Sequence, residues 1–313
     1  MSSKKAKAKR EKQESFISCF MRNKVIYAFL ALPVVYFLVF KYIPMFGNII
    51  GFRKYRAGGS YLGEGELTLK YFEQFISDSQ FWGVFANTIT LSLLVLLITF
   101  PLPIIFALCM NELGNRHFKK FVQSVTIIPK FFSVVVVISI FNALLSPSTG
   151  IVNHLITTLG GNEIFFMNES EWFRAIYIIT DIWQFLGWNS IIYMAVLASA
   201  DKEQYEAAMV DGANRWKQTI HITLPVLLPT IAINLILSVG TVINLGFEKN
   251  LLLYKDNIAD TADVIQTFVF RMGLEYKNYS YATAVGLFQA VISLTLLYVA
   301  NKLINKYWDC GLW

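Results

Sequence analysis

The sequence predicts an all-α integral membrane protein with six transmembrane helices and a cytoplasmic helix pair between spans 4 and 5. Three observations predict it. Of 313 residues 55% are hydrophobic and only 15% charged, where a soluble domain carries about 25% charged residues. Six windows reach the roughly 20 apolar residues that a hydrocarbon core requires. Between two of the most apolar runs lies the polar stretch "EAAMVDGANRWKQTIHITLPVLLP", Glu206 to Pro229.

The spans read as Val25–Pro44, Val84–Met110, Phe121–Leu145, Trp172–Ala198, Pro225–Phe247 and Tyr281–Ile304. The fourth is the least apolar, because Asp181, Gln184 and Asn189 interrupt it. Residues 1–24 form a basic tail, 25–304 the six-span domain and 305–313 a C-terminal tail. The run after "KKAKAKREK" exceeds an ordinary signal-peptide core, and no small-residue cleavage site follows it, so the first span reads as retained. Sixteen Lys and Arg fall in 1–24, 111–121, 199–224 and 301–313. Lysines and arginines concentrated in short loops mark the cytoplasmic side, which places both termini in the cytoplasm. The net charge of +6 reads as topology and not as nucleic-acid binding. Cys19, Cys109 and Cys310 fall at that same side, where thiols stay reduced.

Soluble-enzyme chemistry is missing. His117, His154 and His221 are far apart, without metal-ligand spacing, and there is neither a phosphate-binding glycine loop nor a nucleophile elbow. The chain reads as non-catalytic and without cofactor or metal of its own.

In the cytoplasmic segment 201–225, "DKEQYEAAMV" forms a helix with Asp201 as its cap, and Tyr205, Ala208 and Met209 share one stripe. Asp211-Gly212 breaks it, since glycine accepts backbone angles that other residues resist. "ANRWKQTI" restarts the helix with Trp216 and Ile220 on one face, and Leu224-Pro225 leads into the fifth span. Taken alone, the segment is either an interfacial amphipathic loop or a docking element with small residues Ala207, Ala208 and Ala213.

Two charges sit deep in predicted spans. Lys130 lies about ten residues into the third from the cytoplasm and Asp181 about ten into the fourth from outside, roughly 14–15 Å from either surface. Intramembrane charges face a cavity or one another, so these two either pair or line a path. Near Asp181 stand Trp183, Gln184, Trp188 and Asn189, rings and amides suited to sugar faces and hydroxyls. Asn87, Asn142, Asn234, Asn244 and Gln289 either line the path or bond a neighbouring helix. Trp172 reads as an interfacial anchor.

Glu206-Ala207-Ala208, three residues, Gly212, nine residues, then Ile222-x-Leu224-Pro225 resembles the signature of ABC importer permease subunits. From about residue 42 to the end the chain is similar to the polysaccharide- and oligosaccharide-type permeases, through "YIPMFGNIIGFRKY", "GFEKNLLLY", "ADVIQTFVFRMGL", "YSYATAVGLFQAVISLTLLYVANKL" and the terminal "GLW". Lys202 and Lys130 depart from the pattern, which has a proline and a neutral or histidine side chain there. The resemblance implies an importer that takes up a carbohydrate delivered by an extracellular binding protein. Its ATP and Mg would be bound by two cytoplasmic ATPase subunits, and a second six-span permease, a different chain, would complete the path. It implies that Glu206, Ala207, Ala208, Asp211, Gly212, Arg215, Trp216, Leu224 and Pro225 couple to the ATPase. Lys130, Asp181, Trp183, Gln184, Asn189, Asn234 and Asn244 are the expected substrate path. A permease for peptides, amino acids or anions, and a receptor or scaffold without transport, remain alternatives.

Overall fold

A computed structural model of the chain describes residues 21–308 and 310–312. Most of the basic tail, with Cys19, lies outside them. The chain divides into two units, 1–68 and 69–313.

In the first unit, helix α1 (Lys24–Phe37) continues through a widened turn at Leu38–Tyr42 and a tightened one at Phe46–Phe52. The apolar helical stretch therefore covers Lys24–Phe52 and outruns the expected end at Pro44. No residue of α1 is buried.

The second unit starts with α2 (Lys70–Ile76), α3 (Ser79–Thr99) and α4 (Pro101–Glu112). Asp78 caps α3 by accepting from the Gln80 N–H at 2.9 Å. Pro101 falls in the first turn of α4, where a missing N–H costs nothing, so α3 and α4 form one apolar stretch of 34 residues.

The third expected span is a correction. In place of one helix over 121–145 there are α5 (Arg116–Ile127), a tight turn at Ile128–Phe131 and α6 (Val134–Leu144), with a bend of 106°. Ile128 keeps helical angles ahead of Pro129, and the helix breaks where Phe132 and Ser133 turn extended, at ψ 142° and 155°. Ser133 then caps α6 through the Val136 N–H at 3.3 Å. The uniformly apolar run masked this stop-and-restart chemistry.

After α7 (Ile151–Thr158) comes α8 (Ser170–Ala198), 29 residues and roughly 43 Å long. Residues 201–225 give α9 (Lys202–Val210) and α10 (Arg215–Gln218). α10 runs without a stop through a widened turn at Thr219–Thr223 into α11 (Leu224–Thr241). The fifth span therefore begins nine residues before Leu224 and ends at Thr241, short of the expected Phe247. α12 (Phe247–Leu253), α13 (Ala259–Ala262), α14 (Ile265–Phe270) and α15 (Tyr279–Trp308) complete the chain.

Among the described residues four helices are long and apolar enough to cross a membrane, five with the bent pair. α8 is long enough, but its charge and amides keep it less apolar. α8 packs along α4, and α11 along α15. One buried cluster gathers Leu91, Ile138, Phe173, Tyr177 and Val264, and another Phe75, Phe81, Phe268, Tyr281 and Val285. Between α3, α8, α11 and the 242–246 turn these clusters leave open space.

Candidate functional site

α8 supplies one wall of that space. Tyr177, Asp181, Trp188 and Ile192 recur near helical spacing on one face, joined by Asn189 and Tyr193. α11 adds Asn234, Ser238 and Thr241, again at i, i+4 and i+7. Thr99, Phe100 and Pro103 of α3–α4 close the third side, and Asn244 and Gly246 the rim. The cavity measures about 520 Å³, within the range of small-ligand sites. Its lining alternates rings, hydroxyls and amides, and Asp181 is its one charged residue. Asn244 is held in place, since its Oδ1 accepts from Gln266 Nε2 at 3.1 Å and from Gln289 Nε2 at 3.3 Å.

The expected path residues thus divide. Asp181, Asn189, Asn234 and Asn244 come together in the cavity, joined by Trp188. Gln184 is 4% exposed and donates to the Phe132 carbonyl at 3.0 Å, tying the bend to α8 while bordering an adjoining cavity of about 400 Å³. Trp183 stacks on Phe132 and meets Phe141 edge-on, away from both cavities. Asn87 donates to the Asp260 and Asp263 carbonyls and Gln289 to Ile243, so both tie segments together. Asn142 borders a separate cavity of about 180 Å³.

Of the two alternatives for the deep charges, Asp181 lines the cavities, and neither alternative describes Lys130. Lys130 does not meet Asp181: it sits on the turn before α6, its ammonium 4.3 Å from the Phe185 ring centre and 6.0 Å from that of Trp188. Asp181 pairs with Lys249 of α12 at 3.1 Å. Reading Lys249 as part of an outer loop concealed this, because its partner lies 68 residues away and no local spacing links them. Tyr177, Tyr193, Ser238 and Thr241 were missed as well. Only their positions on the polar faces of α8 and α11 mark them.

The segment 201–225 presents a different surface. Asp201 caps α9 through the Glu203 N–H at 2.9 Å, and Asn214 caps α10 through Lys217 N–H at 2.9 Å. Between them Gly212 takes φ +76°. Its N–H reaches the Met209 carbonyl at 3.1 Å, and the Ala213 N–H reaches Ala208 at 2.9 Å. This paired closure of a helix end requires a left-handed residue. Tyr205 and Ala208 turn inward, Tyr205 bonding Thr223 at 3.1 Å. Glu206, Ala207, Asp211, Arg215, Leu224 and Pro225 are exposed, as is Trp216 at 71%. Arg215 stands 3.9 Å from Glu112 at the end of α4, and Gln218 Nε2 donates to the Ala213 carbonyl at 2.9 Å. The two short helices and the base of α11 thus form one connected body. Among the described residues no group of three or more His, Cys, Asp or Glu is placed to hold a metal.

Residues 100–309 match the family described as binding-protein-dependent transport system inner membrane component. The chain is 39% identical over 305 residues to the polygalacturonan/rhamnogalacturonan transport system permease protein YteP of Bacillus subtilis, covering 97% of this chain and 95% of that one. It is 26% identical to the arabinooligosaccharides transport system permease protein AraP of the same organism, over 95% and 94% of the two chains. Among solved structures, a chain of a bacterial ABC transporter that imports the acidic polysaccharide alginate is similar at a TM-score of 0.87 and 37% identity. The similarity covers 94% of this chain and 100% of that one. A second structure of a bacterial alginate ABC transporter contains an alginate pentasaccharide-bound periplasmic protein, and its similar chain gives a TM-score of 0.88 at 37% identity, over 96% and 100%.

Proposed function

We infer the function from the chain's family, for it belongs to the binding-protein-dependent transport system inner membrane components. It is the permease subunit of an ATP-driven importer whose cargo is a carbohydrate. The observation that carries the cargo reading is the 520 Å³ cavity. The half-exposed ring of Trp188 offers a face for C–H-rich sugar surfaces, and the amides of Asn189, Asn234 and Asn244 match hydroxyl pairs. YteP, AraP and the alginate importer, each related over nearly the full length, support it. The chain itself supplies no catalysis.

Residues 201–225 are the surface on which a cytoplasmic ATPase acts. Glu206, Ala207 and Gly212 face outward with Arg215 and Trp216, and α10 is continuous with α11, whose Asn234 and Ser238 line the cavity. A push on Trp216 therefore travels along one helix to the sugar site. We take the bent α5–α6 pair and α8 each as crossing the membrane, which gives six spans with both termini in the cytoplasm. Two ATPase subunits, a second permease and an extracellular binding protein complete the assembly.

The test is uptake of labelled oligosaccharides, di- to hexasaccharides of uronate, arabinose and neutral hexose type, by a strain deleted for this chain. Loss of at least one, restored by the wild-type chain, is the expected result. Unchanged sugar uptake together with a lost peptide, amino-acid or anion activity would establish the rival solute class. No loss of any uptake would favour the scaffold.

A further inference from the structure

Lys249 sits where an unpaired cation is hardest to keep. Its side chain is 6% exposed. Nζ donates to the Tyr177 carbonyl at 2.7 Å and to Asp181 Oδ1 at 3.1 Å, and lies 4.0 Å from the Tyr177 ring centre. Burying a lysine costs several kcal/mol unless the charge is neutralised, and removing one partner of such a pair is strongly destabilising. A carboxylate must therefore stand next to Lys249 at every stage.

The two partners are unequally placed. Asp181 is 23% exposed against 6% for Lys249. It lines both the 520 Å³ and the 400 Å³ cavities, while Lys249 lines only the smaller. Among the described residues its one side-chain hydrogen bond is the one to Lys249. Asp181 can turn into the larger cavity and be solvated there; Lys249 has no such exit. Among the residues lining either cavity, Lys249 is the one cation. Glu248 also borders the smaller cavity, but it is exposed and water screens it. A cavity built for hydroxyls alone would need no buried ammonium in its wall.

We propose that Lys249 recognises the carboxylate of a uronate-containing oligosaccharide and that Asp181 occupies its place while the cavity is unloaded. The proposal rests on the carbohydrate reading above. A uronate carboxylate entering the smaller cavity takes over the Lys249 hydrogen bond, and Asp181 swings toward the larger one. No covalent step is involved, and the net charge of the site falls by one only while acidic sugar is bound. Lys249 thereby selects acidic over neutral sugars of the same length.

The test is calorimetric binding to the assembled permease–ATPase complex without binding protein, with trigalacturonate and its fully methyl-esterified form as probes. The ester keeps the hydroxyls and the ring but not the charge. Wild type is expected to bind the acid at least tenfold more tightly than the ester. Lys249→Met paired with Asp181→Asn removes both charges together, so the complex assembles without a stranded charge. That double variant is expected to bind acid and ester alike, at the wild-type ester level. A double variant that still prefers the acid, or a wild type that binds the ester as tightly as or more tightly than the acid, overturns the proposal and leaves the carbohydrate reading intact. A wild-type complex that binds neither of these, nor arabinotriose or maltotriose, overturns both.

Discussion

Gly212 holds φ +76° with nothing within 4 Å of where a Cβ would stand. Replacing it therefore costs only backbone strain, about 1–2 kcal/mol for an ordinary residue forced into the left-handed region, and less for asparagine, which visits it more readily. Gly212→Ala is expected to unlatch α9 from α10 and lower the sugar taken up per ATP hydrolysed severalfold, with Gly212→Asn nearer to wild type. Equal coupling in all three would show that the turn does not transmit force. This residue was legible from the chain alone, because Asp-Gly after a helix-forming run has one local solution, and the Asp201 cap was legible for the same reason. Lys249 was not. Its role depends on a carboxylate on another helix, and hydropathy assigned it to a loop. Lys130 was weighed as a partner for Asp181 because its depth was counted along a straight helix, where the chain bends by 106°.

Helices cross closely where α5 meets α8. A Cβ on Gly187 would lie 2.3 Å from the Thr126 carbonyl oxygen and 2.8 Å from the Ile127 nitrogen, so α5 would have to move bodily. Gly187→Ala is expected to destabilise the purified complex by about 1–3 kcal/mol, read as a lower Tm in detergent, with Gly286→Ala, where nothing lies within 4 Å, close to neutral. A Gly187→Ala complex as stable as wild type would contradict the crossing. Helix existence was legible from apolar runs, yet the 106° bend was not, since Val, Ile and Phe on both sides give the same hydropathy straight or bent. The widened turn at Thr219–Thr223 also left no mark in the sequence pattern. It lets α10 continue into α11 where Leu224-Pro225 reads as a fresh start.

As a whole the chain has the composition of a multi-pass membrane protein. α1 and the widened turn after it expose Phe29, Leu32 and Phe40, and in water such a surface would aggregate, whereas lipid would cover it. The central claim is that this chain passes sugar when a separate ATPase acts on residues 201–225. Proteoliposomes holding the permease pair and the ATPase, with binding protein outside and ATP inside, test it through accumulation of labelled trigalacturonate and arabinotriose. The account predicts accumulation of at least one of them that disappears when ATP, binding protein or this chain is left out. Accumulation that persists without ATP, or none of either sugar with every component present, would contradict it.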